Sequence, residues 1–259
     1  MPELFTNSAI AIVVLMLTTW LISLPIRNAS VIDLVWGVGF VVVAWVGYFT
    51  VVPASDRKLL LAGLITIWGL RLSCYLAWRN VGKGEDFRYV NMRNKHGSKF
   101  WIVSLLTVFT LQGVIMWLVS LPIQLGEFNA DLRPLNWLDA LGVAIWCLGF
   151  FFESVGDFQL ARFKANADNA GKVMNRGLWR YTRHPNYFGD FMVWWGLYIV
   201  SVSSRAGYWS IVGPLLMSFF IMKVSGVTML ERSLTNTKAG FAEYQQRTNA
   251  FFPWLPKEK

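Results

Sequence analysis

The sequence predicts an all-α, polytopic membrane bundle, and three observations carry that prediction. The 259 residues are 55% hydrophobic and 16% aromatic but only 15% charged, with a mean hydropathy of +0.43. A globular domain carries about 25% charged residues, so this chain has too little polar surface to face water on all sides. The apolar residues fall in seven runs, each close to the roughly 20 residues a spanning helix needs. Tryptophan or tyrosine stands near many of their ends, at Trp78, Trp101, Trp137, Tyr187 and Tyr208, where an aromatic belt meets the headgroups.

The runs are 8–26, 31–52, 59–78, 101–121, 137–156, 187–203 and 208–230. The first follows MPELFTNS, which lacks the basic stretch of a cleaved signal peptide, so it reads as a retained helix. The sixth is short and starts with polar residues, which predicts a tilted entry into the bilayer. No internal repeat or low-complexity linker interrupts the chain, and 1–259 reads as a single domain. Loop charges orient it. Residues 79–99 carry Arg79, Lys83, Arg88, Arg93, Lys95 and Lys99, and residues 157–183 carry Arg162, Lys164, Lys172, Arg176, Arg180 and Arg183, each set against two acids. The fourth-to-fifth connection instead holds Glu127, Asp131, Arg133 and Asp139, and the sixth-to-seventh only Arg205. The positive-inside rule places the basic loops and the C-terminal tail in the cytoplasm. Seven helices then leave the N-terminus outside, where Glu3 is its only charge.

The net charge of +9 raises nucleic acid as a partner for a soluble protein. Here the basic residues sit between apolar runs, so anionic lipid headgroups and an anionic cofactor are the expected partners, and nucleic acid is not. Cys74 and Cys147 both lie in apolar segments and read as buried small hydrophobes. With only His96 and His184 besides, no metal centre is expected.

Ionisable residues inside apolar runs are costly and usually functional. Asp33, at the start of the second run, suits either a helix N-terminal carboxylate or an acid that aims a substrate group near the membrane surface. Arg71, two turns before the end of the third run, can snorkel to the headgroups. Glu153 and Asp157 are four apart and share a helix face, and Lys164 joins the stripe if the helix continues. They form either a structural network with nearby cations or a receptor for the hydroxyls and amide of a nucleotide. Paired carboxylates of a glycosidase fit this basic setting poorly.

The segment NRGLWRYTRHPNYFGD (175–190) carries the most chemistry. Pro185 suits the first position of a helix, where its missing N–H is unpaired in any case. The helix start presents free N–H groups to an anion, and Arg176, Arg180, Arg183 and His184 stand just upstream. Asn186 and Asp190 lie one turn apart. A pyrophosphate-bearing cofactor needs this combination; arginines that only fix topology and bind lipid would also produce part of it.

RGLWRYTRHPNYFGD resembles the C-terminal signature of the steroid 5-alpha-reductase-like membrane family, and RHPNYFGD is similar to the matching motif of the sterol C14- and delta-7-reductases. FAEYQQRTNAFFPW resembles their closing motif, while GKGEDFRY and VIDLVWGVGF resemble bacterial members. The resemblance implies a helix bundle in the bacterial inner membrane that holds NADPH in a cytoplasm-facing cavity, mainly within 150–259. It matches cofactor-binding positions to Asp157 with Glu153, Lys164, Lys172, Asn186 and Asp190, places Tyr75 and Arg79 on the cofactor side, and makes Glu231 and Tyr244 weaker matches. Arg176, Tyr181, Arg183, His184 and Tyr187 complete the expected cofactor-binding set. The family's Gln-Glu pair is absent from the second run, and Trp68 falls at its tyrosine position. Asp33, Tyr75 or Tyr89 is then the expected polariser of the substrate carbonyl.

The implied reaction is hydride transfer from NADPH to the β carbon of a lipid-soluble, steroid-like enone, with protonation at the α carbon. A donor must meet the charge that develops on the carbonyl oxygen. Membrane methyltransferases of the isoprenylcysteine and phospholipid type share a similar Arg-His-Pro-x-Tyr-x-Gly segment and would use S-adenosylmethionine. A non-catalytic lipid-binding or transport protein is the third reading.

Overall fold

The structure, a computed structural model, describes residues 2–80, 82–128, 134–204, 206–224, 227–238 and 240–257. Asp131, Arg133 and Arg205, which entered the charge argument, lie outside these residues. Among the described residues there are helices and no strand. We number them α1 (Pro2–Ser23), α2 (Val31–Thr50), α3 (Asp56–Asn80), α4 (Phe87–Val119), α5 (Leu121–Phe128), α6 (Trp137–Ala165), α7 (Pro185–Val202), α8 (Gly207–Val224), α9 (Val227–Thr237) and α10 (Phe241–Arg247). Six of them, α1 to α4, α6 and α8, are long and apolar enough to cross a membrane. The chain is an integral, multi-pass helical membrane protein.

The sixth apolar run is a helix too, α7, but its first two turns contain Asn186, Tyr187 and Asp190. That polar start keeps it outside the six. The helix ends also differ from the hydropathy boundaries. α1 begins at Pro2, and α6 runs nine residues beyond Gly156, to Ala165, because its last turns are amphipathic rather than apolar. Beyond the last spanning run, α9 and α10 are short and polar on one side.

Two compact units divide the chain: residues 1–136 with 200–213, and residues 137–199 with 214–259. In the first, α2 and α3 approach through glycines. A Cβ on Gly69 would sit 2.5 Å from the Gly37 carbonyl oxygen, so neither helix tolerates a side chain there. Ser8 donates to Gln124 at 2.8 Å and Trp117 donates to Ser8 at 3.2 Å, tying α1, α4 and α5 together by buried polar contacts. Lys58 is fully buried, and its Nζ donates to the carbonyls of Val51 and Pro53. Glu127 is not a loop residue, as the charge argument had it. It lies in α5 and is fully buried, with its carboxyl against Gly47, and an apolar residue pattern on both sides hides that helix from a hydropathy reading.

The second unit is built on α6 and α7, and glycine spacing explains their closeness. Gly142, Gly149 and Gly156 recur every seven residues on α6, as do Gly189 and Gly196 on α7. Seven residues are nearly two turns, so each series forms one smooth stripe. A Cβ at Gly149 would lie 2.6 Å from the Gly189 carbonyl oxygen, and one at Gly196 would lie 2.7 Å from that of Gly142. The two backbones therefore touch. Cys74 and Cys147 are exposed on helix surfaces rather than buried, a correction to the sequence reading. Within an apolar span an outward face meets lipid, which accepts a thiol as readily as a packed core does.

Candidate functional site

In the second unit the α6–α7 contact sets the polar geometry. Gly189 lies against the backbone of Glu153, and Gly156 lies under Asn186, whose N–H would be 3.1 Å from an added Cβ. With no side chains between the helices, Asn186 Nδ2 reaches Asp157 Oδ1 at 3.0 Å. Glu153 and Asp157 are buried, and because α6 continues, Lys164 stands on their stripe two turns on. Pro185 opens α7, as its position predicted, and Asp190 follows Asn186 by one turn.

The turn before α7 is fastened from several sides. Gly177 adopts φ +60°, a left-handed conformation that favours glycine. Gln159 accepts from Leu178 N at 3.0 Å, Trp179 Nε1 donates to the Gly156 carbonyl at 3.1 Å, and the Tyr244 hydroxyl donates to the Trp179 carbonyl. Arg183 grips Glu231 through Nε and Nη2 at 2.7 and 3.1 Å, and donates to the carbonyl of Gln245 at 2.9 Å. His184 Nε2 lies 3.1 Å from Glu231 Oε1, and Gln245 Nε2 donates to Glu231 Oε2 at 3.1 Å. Burial pushes the Glu231 carboxyl up, but hydrogen bonds from His184 and Arg183 and their charges outweigh it, holding Glu231 down at about 2. Burial is also the main reason that the Tyr244 hydroxyl titrates above its usual range.

Beside this turn is a cavity of about 350 Å³ with mainly apolar walls. Lys164, Lys172, Arg183, His184 and Tyr244 of the predicted set line it, as does Lys238, which the sequence reading passed over. Arg176 lines an adjoining, more polar groove that shares Lys172 and Tyr244 with the cavity. Tyr187 stacks on His184 at 5.5 Å, and the Tyr181 ring is exposed. Asn186 Oδ1 and His184 Nδ1 are among the buried polar atoms that have no hydrogen-bond partner among the described residues.

The first unit holds a second polar cluster. Tyr89 is buried; its hydroxyl donates to Asp33 Oδ1 and accepts from Gln112 Nε2, both at 3.3 Å. Arg88 Nη2 is 3.4 Å from Asp33 Oδ2, and its Nε pairs with Asp86 at 2.8 Å. Asp86 also caps α4 by accepting from Arg88 N at 2.9 Å. Burial raises the Asp86 and Glu85 carboxyls, yet both titrate below their usual range. The Arg88 hydrogen bonds hold Asp86 down, and those from Arg93 and the Ala29 N–H hold Glu85 down. Tyr75 lies on α3, with the Arg79 guanidinium 5.6 Å from its ring centre and that of Arg71 6.0 Å away. Trp68 is fully buried, its ring 5.8 Å from that of Phe40.

Gln112 was missed by sequence reasoning, although a signal existed. It is the one side-chain amide of the 101–121 run, and the rule applied to ionisable groups in a membrane holds for amides. Gln245 was missed because its role comes only with the packing of α9 against α10.

The profile of the family DUF1295, described as a protein of unknown function, matches residues 19–248. An uncharacterized protein of Schizosaccharomyces pombe, C594.04c, is 25% identical over 91% of this chain and 76% of its own length. The 3-oxo-5-alpha-steroid 4-dehydrogenase 1 of Homo sapiens is 26% identical over 44% of this chain and 41% of its own, and that of Macaca fascicularis is 28% identical over 44% and 40%. The chain thus matches about two fifths of the length of these two enzymes. No solved structure is significantly similar to the chain.

Proposed function

The chain belongs to the DUF1295 family, and from that premise and its two polar clusters we propose that it is a membrane oxidoreductase that uses NADPH to reduce a carbon–carbon double bond in a lipid-soluble, steroid-like enone. The observation that carries this reading is the cation-ringed apolar cavity beside the Asn186–Asp157 pair, together with the similarity to 3-oxo-5-alpha-steroid 4-dehydrogenase 1. It also rests on the basic loops and tail lying in the cytoplasm, where a soluble dinucleotide is available.

The donor set suits a dinucleotide. Lys164, Lys172 and Lys238 line an apolar space that accepts flat rings and offer charge to phosphates there. Asn186 keeps its carbonyl oxygen without a partner among the described residues while its amide nitrogen is committed to Asp157, which leaves one acceptor for a ligand. Glu153 and Asp157 provide carboxylates for ribose hydroxyls. Arg183 and Glu231 neutralise each other and act as the frame of the turn rather than as free ligands. When bound, a reduced nicotinamide supplies a hydride; the chain holds it in place and supplies the electrostatics.

For the substrate, Tyr89 is the proposed polarising group. Gln112 donates to its oxygen and Asp33 accepts its proton, so the hydroxyl is oriented from both sides. A hydroxyl in a buried setting stabilises a developing oxyanion more strongly than water does. The β carbon receives the hydride and the α carbon a proton, and the carbonyl is restored.

The test is equilibrium binding to the detergent-purified protein, followed by the absorption and fluorescence of reduced nicotinamide. NADPH should bind at one per chain, and Asn186→Leu should weaken it by roughly tenfold, the worth of one lost buried polar contact. Progesterone-type enones should then oxidise bound NADPH. Binding of S-adenosylmethionine with no response to NADPH would overturn the proposal in favour of methyl transfer.

A further inference from the structure

Beyond the cavity, the outer groove in the second unit adds three cations that the proposed reduction does not use, Arg180, Arg247 and Lys257. Its space is about 750 Å³, and among the described residues Lys172, Arg176, Arg180, Arg247 and Lys257 line it with one acid, Glu243. All five cations are exposed. Arg247 approaches Glu243 to 3.7 Å, and the described cations of the groove outnumber its described acid five to one.

The groove is a built surface. The C-terminal segment is fastened along the turn before α7 by Arg183 N to the Asn249 carbonyl, Trp254 N to the Tyr181 carbonyl and Lys257 N to the Arg247 carbonyl, each at 2.9 Å. Thr182 Oγ1 donates to the Phe251 carbonyl at 2.7 Å, and Thr248 Oγ1 to the Arg180 carbonyl at 3.3 Å. These bonds hold Arg180, Arg247 and Lys257 around one space. The same segment turns Phe252, Trp254 and Leu255 outward, 60%, 71% and 72% exposed. A water-facing tail has no reason to display three large apolar side chains in four residues. At a membrane interface, aromatic side chains beside cations are the expected arrangement.

We infer that this groove binds the phosphate of an anionic glycerophospholipid, with Arg180, Arg247 and Lys257 around the headgroup and Phe252, Trp254 and Leu255 in the acyl region. Charge complementarity selects an anion, and the outward apolar triad selects one that carries hydrocarbon. A nucleotide or RNA phosphate would satisfy the cations but leave the triad in water. The site would dock the C-terminal segment on the membrane and so hold the turn that carries Arg183 and His184.

Native mass spectrometry of the full chain from mixed micelles, with dioleoyl phosphatidylglycerol against dioleoyl phosphatidylcholine as probes, tests this. Phosphatidylglycerol should be retained at least tenfold better. Each cation near a headgroup is worth roughly fivefold, so the Arg247→Gln, Lys257→Gln double variant should lose roughly 25-fold. Its affinity for NADPH should stay within about twofold. If the double variant does not fold, two mild variants decide: Lys257→Gln should weaken phosphatidylglycerol about fivefold, and Glu243→Gln should tighten it by a similar factor. Equal retention of both lipids, shifts in neither variant, or a double variant that loses NADPH and keeps the lipid would each overturn the inference. So would displacement of the lipid by a short RNA at equal concentration.

Discussion

Replacing Gly189 by alanine adds one carbon at the point where α6 and α7 touch, and the structure gives its cost. The new Cβ would lie 2.5 Å from the Gly149 carbonyl oxygen and 2.7 Å from Glu153 Cα, and closer still to the Glu153 nitrogen. Ordinary contacts of this kind begin near 3.4 Å, so the helices must part by close to 1 Å, and no flexible side chain can yield in their place. Overpacking of this kind costs about 1–3 kcal/mol. Parting the helices also stretches the 3.0 Å bond from Asn186 to Asp157, and a buried hydrogen bond to a charged group is worth about 1.5–3 kcal/mol. Together they come to roughly 4 kcal/mol, or a fall of about 10 °C in melting temperature for a chain of this size. Thermal melting in detergent, read beside NADPH affinity, is the assay. Gly63→Ala is the control: nothing lies within 4 Å of its Cβ, so removing a helical glycine should stabilise by about 0.5–1 kcal/mol. A Gly189→Ala protein that melts with the control, or that melts early and still binds NADPH normally, refutes the view that this contact aligns the site.

Glu231 makes stability depend on acid. Its carboxyl titrates at about 2 in the fold against 4.5 as its ordinary value, so its contribution is complete above about pH 4.5 and is lost as pH falls from there through 2. Allowing for its partial exposure, the contribution is about 1–2 kcal/mol; melting followed from pH 7 to pH 3 should show it, and Glu231→Gln should start lower at pH 7 with a flatter acid slope. Parallel acid slopes for the two proteins would remove Glu231 from this role. Tyr89→Phe should lower the rate constant of enone reduction by about 10²-fold while its two lost hydrogen bonds cost about 1–2 kcal/mol of stability, and Gln112→Leu should lower the rate less, by about tenfold. Full turnover in Tyr89→Phe would pass the role to another donor.

The helices were legible because the bilayer demands a long apolar run whatever the neighbours are, and all seven runs are helical. Their ends were less so. α6 continues past Gly156 because Glu153 and Asp157 face α7 rather than water or lipid, and hydropathy cannot separate an amphipathic extension from a loop. Glu127 shows the same limit from the opposite side. A lone carboxylate between two apolar runs reads as a loop charge, and only the fold reveals that it lies against Gly47 with no room for solvent. The Arg183–Glu231 pair joins residues 48 positions apart, and no local spacing announces it. The glycine series at 142, 149 and 156 and at 189 and 196 was visible throughout. Its meaning depended on knowing that the two stripes face each other.

Buried polar groups in this chain differ in how fully their bonds are spent, and that difference separates frame from site. Arg183 commits its guanidinium to Glu231 and backbone carbonyls, Glu231 accepts from three side chains, and Lys58 is taken up by two carbonyls. Removing such a group would loosen the fold before it touched any ligand. Asn186 and His184 are each half committed: one polar atom is paired, and the other is buried without a partner among the described residues. An unmade bond in a buried place costs about 1–3 kcal/mol, and a chain can bear that where a ligand completes the bond. Tyr89 is a third kind. Its hydroxyl is fully paired, but with Asp33, which Arg88 also contacts. The hydroxyl can therefore turn its hydrogen to an arriving carbonyl while Asp33 stays paired with Arg88, and Gln112 still holds the Tyr89 oxygen in place.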